Sequence, residues 1–330
     1  MASEQRKQST MVENKLLDIR NLETWFPVKR GILSRTVGHV KAVDGVSLVI
    51  GKGETLGLVG ESGCGKTTLG RSLLGLERIH GGEIFFDGTN LHGLTGNVLR
   101  DVRRRMQMVF QDPLSSLNPR MSVLDSVTEG MKAFQLSNAR ECDEKGLSLL
   151  KEVGLSGDAL FRYPHEFSGG QCQRISIARA LSMRPDFIVC DEAVSALDVS
   201  VQAQVVNLLI DLQEKYGQSY LFISHDLSVV SHIADHIAVM YLGKVVEYGS
   251  VSAIIHTPLH PYTQALIDAV PVPGKQGKKR VIKGETPSPM SPPSGCPFHP
   301  RCPEAETICK SQVPELKSLS GCLVSCHLRH

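Results

Sequence analysis

Residues able to bind phosphate stand close together in the segment GESGCGKTT, from Gly60 to Thr68. The pattern G-x-x-x-x-G-K-[ST], which runs from Gly60 to Thr67, is that of a phosphate-binding loop. Backbone N–H groups of such a loop point inward to phosphate oxygens, and the positive end of the following helix adds to the attraction. Lys66 then reaches the terminal phosphates, and the Thr67 hydroxyl ligates Mg²⁺. The predicted nucleotide contacts in this segment are Gly60, Glu61, Ser62, Gly63, Cys64, Gly65, Lys66, Thr67 and Thr68.

A second candidate segment is FIVCDE, residues 187–192, in which an apolar run precedes two acidic residues. A buried strand would carry Asp191 to the carboxyl edge of a sheet, where it can hold Mg²⁺ through water. Glu192 can polarise an attacking water as a general base. Taken alone, an apolar run that ends in Asp-Glu is usually only the end of a strand. Its position downstream of a phosphate-binding loop favours the catalytic interpretation.

The segment EFSGGQCQRISIARAL, residues 166–181, is another candidate for binding an anion. Ser168 precedes two glycines and a run with helical spacing, which is the pattern of a helix N-terminus exposed to a ligand. The alternative is a plain helix cap with Ser168 as the N-cap residue. The sequence therefore contains two anion-binding candidates about a hundred residues apart.

These candidates need strands and helices that alternate along the chain, and the apolar patterns predict such an alternation. The predicted strands are 16–26, 43–50, 54–60, 81–88, 104–112, 187–192, 218–226 and one strand over 236–249. The predicted helices are 66–76, a helical region at about 120–165, 171–183, 201–217 and 227–234. The alternation predicts an α/β core with a parallel sheet and a helical insert in its middle. After Pro271 the chain reads as a Pro-, Gly- and Ser-rich linker followed by a cysteine-rich tail.

Composition excludes several other classes of protein. Lys and Arg number 36 against 34 Asp and Glu, so no basic surface for nucleic acid is predicted. The apolar runs are much shorter than the roughly 18 residues that a membrane span needs. The first ten residues, MASEQRKQST, lack the apolar core of a secretion signal, so we expect a cytosolic protein.

The order of these segments resembles that of ABC transporter nucleotide-binding subunits. The phosphate-binding loop, SGGQ at 168–171, VCDE, SALD at 195–198 and ISHD with His225 follow one another as in that family, over about residues 15–270. The resemblance implies an α/β P-loop NTPase (RecA-like) core with an antiparallel β subdomain and a helical subdomain at about 115–180. Residues 1–14 would be a flexible N-terminus, and 271–330 a small Cys-rich C-terminal extension.

In that family two subunits bind head to tail, and each ATP lies between the phosphate loop of one subunit and the Ser-Gly-Gly helix end of the other. By resemblance, this chain contributes to its partner's ATP through Ser168, Gly169, Gly170, Gln171 and Asp198. That arrangement explains why one chain contains two anion-binding segments.

Further roles follow from matched positions in the family pattern. Phe26 would stack on adenine, with Trp25 pointing to the other side of its strand. Gln111, in MVFQDP, would sense Mg²⁺ and the attacking water, and His225 would hold the γ-phosphate. The resemblance thus implies the catalytic set Glu192, His225 and Gln111, and Mg²⁺ held through Thr67, Gln111 and Asp191.

The C-terminal half looks like that of oligopeptide and dipeptide permease ATPases. The matching segments are PLHPYTQALIDAVP at 258–271 and GETPSPMSPPSGCPFHPRC at 284–302, while residues 191–209 are especially like the F-type subunit. The resemblance implies import of short peptides with a D-type ATPase partner, two integral membrane permease subunits and an extracytoplasmic peptide-binding protein. It places the chain at the cytoplasmic face of the bacterial inner membrane.

Several alternatives to peptide import stay open at this point. Relatives with the same tail import nickel, glutathione or other small solutes. A non-transport ABC ATPase would need coiled-coil arms or tandem cassettes, which this sequence lacks. A regulatory module that does not hydrolyse ATP would be favoured by the loss of Glu192 or His225, and both are present.

The tail contains five cysteines in its last 35 residues. Four thiolates suit Zn²⁺ or a [4Fe–4S] cluster, and free thiols are the alternative. The peptide-permease resemblance favours the cluster, with a structural role in clamping a tail too small for its own core. In that pattern the ligands are Cys296, Cys302, Cys309 and Cys326, while Cys322 is spare.

Overall fold

The computed structural model describes residues 14–30, 35–155, 157–270, 282 and 284–330. These residues form two compact units. The first unit combines the described residues up to His92 with those from Ser224 onward, and the second unit runs from Gly93 to Ile223. None of the helices among these residues is long and apolar enough to span a membrane.

Strands and helices alternate along the chain, as the sequence predicts. The strands are β1 (Lys15–Arg30), β2 (Arg35–Gly51), β3 (Thr55–Val59), β4 (Gly81–Phe86), β5 (Thr89–Asn90), β6 (Met106–Val109), β7 (Phe187–Asp191), β8 (Ser219–Ile223), β9 (His236–Tyr241), β10 (Lys244–Ser250), β11 (Lys317–Leu319) and β12 (Cys322–Val324). The helices are α1 (Lys66–Leu73), α2 (Gly96–Arg105), α3 (Pro113–Ser116), α4 (Val123–Ala133), α5 (Ala139–Glu152), α6 (Gly169–Ser182), α7 (Val199–Tyr216), α8 (Leu227–Ile233), α9 (Val251–His256), α10 (Pro261–Ala269) and α11 (Thr307–Ser311). Two short 3₁₀ turns lie at Gly157–Phe161 and Pro164–Glu166.

The first unit contains an antiparallel sheet in the order β2-β1-β4-β5. The long pair β1–β2 is interrupted by several register shifts, for example between Ile19 and Leu22. Leu17, Ile19 and Phe86 are almost fully buried on this sheet. Alternation of buried and exposed residues is what a sheet with one solvated face requires.

A second set of strands in the first unit runs in the order β11-β12-β10-β9-β3. Strands β3 and β9 are parallel, with Val59 opposite Val239. All five residues of β3 are buried, as expected of a strand covered on both faces. The phosphate-loop segment follows this strand directly in the chain.

The single strand predicted over 236–249 is wrong, because the structure has a hairpin there. Strands β9 and β10 pair antiparallel, with Lys244 opposite Tyr241. Leu242 and Gly243 make the two-residue turn with φ of 43° and 80°. Positive φ at both positions is the geometry of a tight hairpin turn, which the continuous apolar pattern conceals.

The tail also belongs to the first unit. Strand β12 pairs with β10, with Leu323 opposite Tyr248. Phe298 is 1% exposed and packs edge-on against Tyr241, with ring centroids 5.3 Å apart. The tail is therefore ordered against the strands of this unit rather than around a core of its own.

The second unit is built on the parallel strands β6, β7 and β8. Val109 pairs with Cys190, and Asp191 pairs with Ile223. Helices α4 and α5 pack against α6, in the region where the sequence predicts a helical insert. The bounds of a helical subdomain at about 115–180 stay a prediction. Helix α2 has no counterpart among the sequence predictions.

Candidate functional site

The predicted phosphate loop connects strand β3 to helix α1 in the first unit. Gly65 has φ of 107°, a region that side chains with a Cβ rarely adopt. A Cβ on Gly65 would lie 1.9 Å from the carbonyl oxygen of Ala42. Only glycine therefore fits at this position, which matches the requirement of the motif for a close backbone turn.

Lys66 lies at the first turn of α1 and is 4% exposed. Its Nζ donates hydrogen bonds to the carbonyl oxygens of Gly60, at 2.8 Å, and Glu61, at 2.9 Å. The Lys66 ammonium group is therefore hydrogen-bonded to the start of the loop. Its positive charge lies beside the backbone that the motif assigns to phosphate binding. The remaining predicted contacts of this segment, Ser62, Gly63, Cys64, Thr67 and Thr68, belong to the same loop and first helical turn.

Glu61 is fixed by residues far away in the sequence. Arg301 donates from Nη1 to Glu61 Oε2 at 2.7 Å and from Nη2 to Glu61 Oε1 at 3.0 Å. The Thr286 hydroxyl donates to Glu61 Oε2 at 2.8 Å. Burial by itself would raise the pKa of the Glu61 carboxyl, but the hydrogen bonds from Arg301 and Thr286 outweigh it, so this pKa is lowered. Glu61 is accordingly ionised at neutral pH.

The two aromatic residues Trp25 and Phe26 have different surroundings on β1. Trp25 stacks on His80 with ring centroids 5.9 Å apart, and Lys41 Nζ lies 4.5 Å from its ring centre. Phe26 is 38% exposed. The alternation of side chains along a strand accounts for this difference. The adenine-stacking role of Phe26 stays a prediction.

The acidic pair of the second unit ends strand β7. Asp191 is the last residue of the strand and is 3% exposed. Glu192 follows with φ of 46°, a left-handed conformation that is uncommon for a residue other than glycine. The Glu192 carbonyl oxygen accepts hydrogen bonds from the Ser195 N–H and Ser195 Oγ, which stabilise this turn. Strained backbone of this kind is often found at functional sites.

Gln111 lies beside Glu192 in the second unit. Gln111 Nε2 donates to Glu192 Oε2 at 2.9 Å. Gln111 follows β6 and Glu192 follows β7, so their meeting results from the parallel pairing of these strands. The predicted catalytic residues Gln111 and Glu192 are therefore in contact.

His225 lies in the first unit, two residues after the last residue of β8 in the chain. Its side chain is exposed. Asp226 caps the N-terminus of helix α8 by accepting from the Ser228 N–H at 2.8 Å. His225 therefore lies in the short loop that precedes α8, and the Asp226 cap fixes the end of this loop at the helix. Its proposed contact with a γ-phosphate stays a prediction.

The Ser-Gly-Gly segment begins helix α6 in the second unit. Ser168 is the N-cap residue, and its side chain and that of Gln171 form a reciprocal capping box. Ser168 and Gly169 are exposed. Asp198 similarly caps α7 by accepting from the Val201 N–H at 3.0 Å. The cap interpretation is thus correct as local structure, and the proposed contacts with a partner's ATP stay predictions.

The tail cysteines are close enough to influence one another. Burial raises the pKa of the Cys296 thiol to about 11, and the charges of Cys309, Cys326 and Cys302 add to this increase. Within the described ranges, however, no group of three or more His, Cys, Asp or Glu side chains could hold a metal ion. The structure gives no support to the predicted iron–sulfur cluster.

Comparison with known proteins assigns the chain to a family. The family model described as ABC transporter matches residues 43–195, and the model described as oligopeptide/dipeptide transporter, C-terminal region, matches residues 246–309. The chain is similar to the oligopeptide transport ATP-binding protein AppF of Bacillus subtilis, with 52% identity over 95% of this chain and 97% of that protein. It is also similar to OppF of Salmonella typhimurium, another oligopeptide transport ATP-binding protein, with 48% identity over 94% of this chain and 95% of that protein.

Solved structures give the same assignment of the fold. A dimeric post-hydrolysis structure of the ATP-binding cassette MJ0796, bound to ADP and phosphate, matches with a TM-score of 0.63 and 27% identity, over 71% of this chain and 98% of that one. CbiO1 of Clostridium perfringens, part of an ABC transporter complex, matches with a TM-score of 0.63 and 25% identity, over 74% of this chain and 92% of that one. The chain is an ATPase cassette of the ABC transporter family. Within that family it belongs to the oligopeptide/dipeptide transporter ATP-binding proteins.

The contacts of Glu61 are the part of the site that sequence reasoning missed. Arg301 stands 240 residues from Glu61, in a segment whose sequence indicates a family resemblance and a cysteine cluster but no contact with the phosphate loop. No periodicity or motif spacing connects two positions so far apart.

Proposed function

We propose that this chain is the ATP-binding and ATP-hydrolysing subunit that powers import of short peptides through an ABC transporter. The observation that carries the proposal is the near full-length similarity to proteins named as oligopeptide transport ATP-binding proteins. The phosphate loop contains Lys66, whose Nζ is hydrogen-bonded to the loop backbone, and it supplies the phosphate-binding groups that such a subunit needs. The acidic end of strand β7, where Glu192 contacts Gln111, supplies a base for hydrolysis.

The phosphate loop binds the triphosphate in this proposal. Backbone N–H groups from Gly60 to Thr68 and the Lys66 ammonium surround the β- and γ-phosphates. Phe26 stacks on the adenine ring. The Thr67 hydroxyl and the Gln111 side chain would supply hard oxygen ligands of the kind that suits Mg²⁺, and the Asp191 carboxylate would hold the ion through water. Bound Mg²⁺ neutralises phosphate charge, and it needs only one or two protein oxygens beside phosphates and water.

Hydrolysis is assigned to the groups at the carboxyl edge of the parallel strands. Glu192 accepts the proton of the attacking water, and His225 orients the γ-phosphate. Ser168, Gly169, Gly170, Gln171 and Asp198 of this chain complete the ATP site of the partner ATPase subunit, and the matching residues of the partner complete the site of this chain. The N-terminus of a helix is suited to that contact because its N–H groups and dipole favour negative charge.

The partners in this proposal are a D-type ATPase, two membrane permease subunits and an extracytoplasmic peptide-binding protein. The subunit itself then works at the cytoplasmic face of the cell membrane. Residues 15–270 form the ATPase domain, and residues 271–330 form the C-terminal region. The predicted linker residues 271–281 lie outside the described part of the chain.

The decisive experiment is reconstitution of the complete transporter in vesicles. ATP hydrolysis should rise when the binding protein carries a short peptide, and peptide should accumulate only with ATP. Nickel and glutathione serve as competing cargo in the same assay. Stimulation by either of these solutes, with none by peptides, would replace the peptide assignment while leaving the ATPase assignment in place.

The iron–sulfur cluster at Cys296, Cys302, Cys309 and Cys326 is retained only as a proposal. Its support is the resemblance of the cysteine spacing to the pattern of peptide-permease ATPases. Iron and acid-labile sulfide should be measured on protein purified without oxygen. Absence of both from fully folded protein would remove the proposal.

A further inference from the structure

The tail contacts the phosphate loop through one ion pair in the first unit. Arg301 and Glu61 form two parallel hydrogen bonds, at 2.7 and 3.0 Å. The Arg301 side chain is 8% exposed and the Glu61 side chain 25% exposed. A two-bond arginine–carboxylate pair that is largely removed from solvent is fixed in direction as well as in distance.

Arg301 is itself held by aromatic residues of the same unit. Its Nη1 lies 3.4 Å from the Tyr241 hydroxyl, and its guanidinium lies 5.9 Å from the centre of the Tyr241 ring. Tyr241 packs against Tyr262 and Phe298. Because these rings are buried, they restrict where the guanidinium can go. The pair is therefore part of a packed arrangement rather than a mobile surface contact.

The backbone of Glu61 is fixed from the same side. The Glu61 N–H donates to the Tyr262 hydroxyl at 2.9 Å. The Glu61 carbonyl oxygen accepts from Lys66 Nζ at 2.9 Å. Hydrogen bonds with neighbouring residues therefore fix both the side chain and the main chain of Glu61. These contacts fix the conformation of the first part of the loop.

The charge of Glu61 is the reason that the pair matters for binding. A carboxylate in a loop that receives a polyphosphate would repel the ligand, and the repulsion would be strong where water is partly excluded. The carboxylate also opposes the charge of Lys66 in the same loop. Arg301 and the Thr286 hydroxyl engage both oxygens of this carboxylate. The loop then presents its N–H groups and Lys66 without an uncompensated negative charge.

We propose that Arg301 is a positioning residue for nucleotide binding, which neutralises Glu61 and holds it so that the phosphate loop can accept ATP. The C-terminal tail then forms part of the ATP site through the loop, without touching the nucleotide. This inference rests on the proposed ATP-binding function and extends it to a residue outside the family's nucleotide motifs.

The test is nucleotide titration of the full-length chain and its variants, with fluorescent ATP and ADP analogues. Arg301→Gln should weaken ATP binding by about tenfold, since an unpaired carboxylate is left near the phosphates. The loss should be smaller for ADP, which carries less charge, and smaller at high salt. Arg301→Lys keeps the charge without the two parallel bonds, and we expect an intermediate affinity.

The double variant Glu61→Gln/Arg301→Gln separates electrostatics from folding. Removing the carboxylate should restore most of the ATP affinity lost in Arg301→Gln. A tail that is merely loosened would not be rescued in this way. The matched control is Arg329→Gln, which breaks the tail ion pair between Arg329 and Glu304 at 2.7 Å and should leave ATP affinity unchanged.

The possible results distinguish the positioning role of Arg301 from the proposed ATPase function. If folded Arg301→Gln binds ATP as the natural chain does, or if the double variant stays as weak as Arg301→Gln, the positioning role is wrong and the ATPase assignment stands. If the natural chain binds no ATP at all, the proposed function itself fails.

Discussion

The side-chain amide of Gln111 donates a hydrogen bond of 2.9 Å to a carboxylate oxygen of Glu192. Both side chains follow neighbouring parallel strands, in which Val109 pairs with Cys190. The amide is neutral, so it holds the carboxylate without protonating it. In the proposed reaction this oxygen must accept a proton from water, and Gln111 must then contact Mg²⁺ or the water instead. The pair therefore joins the proposed base, Glu192, to Gln111, the residue proposed to sense the ligand.

The substitution Glu192→Gln tests the assignment of the base. The amide preserves size and can still accept from Gln111, but it cannot take a proton from water. ATP hydrolysis by the assembled transporter should fall by about 10²–10⁴-fold, the usual contribution of a general base. ATP affinity should be retained because the phosphate loop is unchanged. Phosphate release and equilibrium binding measure the two quantities.

A control for this variant is Glu144→Gln on helix α5. Glu144 is a surface carboxylate whose side chain is 65% exposed and pairs with Arg140. Its removal should change neither hydrolysis nor binding, since exposed pairs of this kind contribute little. A normal rate of ATP hydrolysis by the Glu192→Gln variant would show that Glu192 is not the general base.

Local sequence patterns predicted the elements that carry the candidate site. The run FIVC is buried as strand β7 and delivers Asp191 to its end, because a strand covered on both faces needs a continuous apolar run. The glycines of the phosphate loop indicate a close turn, and the clash expected at Gly65 supplies the steric reason. Such features depend on neighbours in the chain, which a sequence displays directly.

Other features depend on contacts that a sequence does not display. Helix α2 was not predicted because its short apolar stripe contains three residues, Val98, Leu99 and Val102, of which Val102 alone is buried. The sequence predicts one strand where the hairpin turns at Leu242, because Leu is an unusual residue at positive φ. The pair Arg301–Glu61 joins positions that only the folded chain brings together.

Two adjacent glycines at the start of helix α6 should respond differently to alanine. A Cβ on Gly170 would lie 2.5 Å from Val201 Cγ1, whereas a Cβ on Gly169 meets only Leu197 Cδ2 at 3.8 Å, an ordinary contact. Gly170→Ala should destabilise the fold by about 1–3 kcal/mol through overpacking. Gly169→Ala should leave the Tm unchanged or slightly raised.

The two variants also separate folding from the proposed contact with a partner's ATP. Gly169→Ala should still lose ATP hydrolysis in the complex, because its added methyl group would stand between the helix end and the phosphate. Adding Val201→Ala to Gly170→Ala should recover the Tm. Full hydrolysis by Gly169→Ala would mean that this helix end does not approach nucleotide.

The ion pair between His236 and Glu54 gives the first unit a pH-dependent contribution to stability. His236 Nδ1 lies 2.7 Å from Glu54 Oε1. The hydrogen bond that His236 donates to the Glu54 carboxylate raises the pKa of His236 above its ordinary value of 6.5. Burial would raise the pKa of Glu54, but the hydrogen bonds from His236 and the Gly51 N–H lower it below 4.5. Asp235 adds to the increase for His236, and Tyr248 stacks on its ring.

The direction in which stability changes with pH follows from the raised pKa of His236 and the lowered pKa of Glu54. The contribution of His236 is complete below pH 6.5 and is lost as the pH rises through its higher folded value. That of Glu54 is complete above pH 4.5 and is lost as the pH falls through its lower folded value. His236→Gln should therefore cost about 1 kcal/mol more at about pH 5.5 than at about pH 9. Thermal unfolding at both pH values measures this difference, and Glu54→Gln should remove it.

Ser168 is expected to have two separable roles, as a helix cap and as a ligand of the partner's ATP. Its side chain accepts from the Gln171 N–H in the structure. Ser168→Ala should cost about 1 kcal/mol through loss of the cap. Ser168→Asp keeps a good capping residue and adds a negative charge that the helix N-terminus favours, so the Tm should stay near that of the natural chain.

The same aspartate would face the γ-phosphate of the nucleotide in the neighbouring subunit. Repulsion between the two charges should then abolish ATP hydrolysis in the assembled complex although the subunit is fully folded. Ser250→Asp is the matched control, because Ser250 caps helix α9 in the same way and has no assigned role in catalysis. Stable, active complexes of Ser168→Asp would show that Ser168 acts only as a cap, and that each ATP site is completed by other residues.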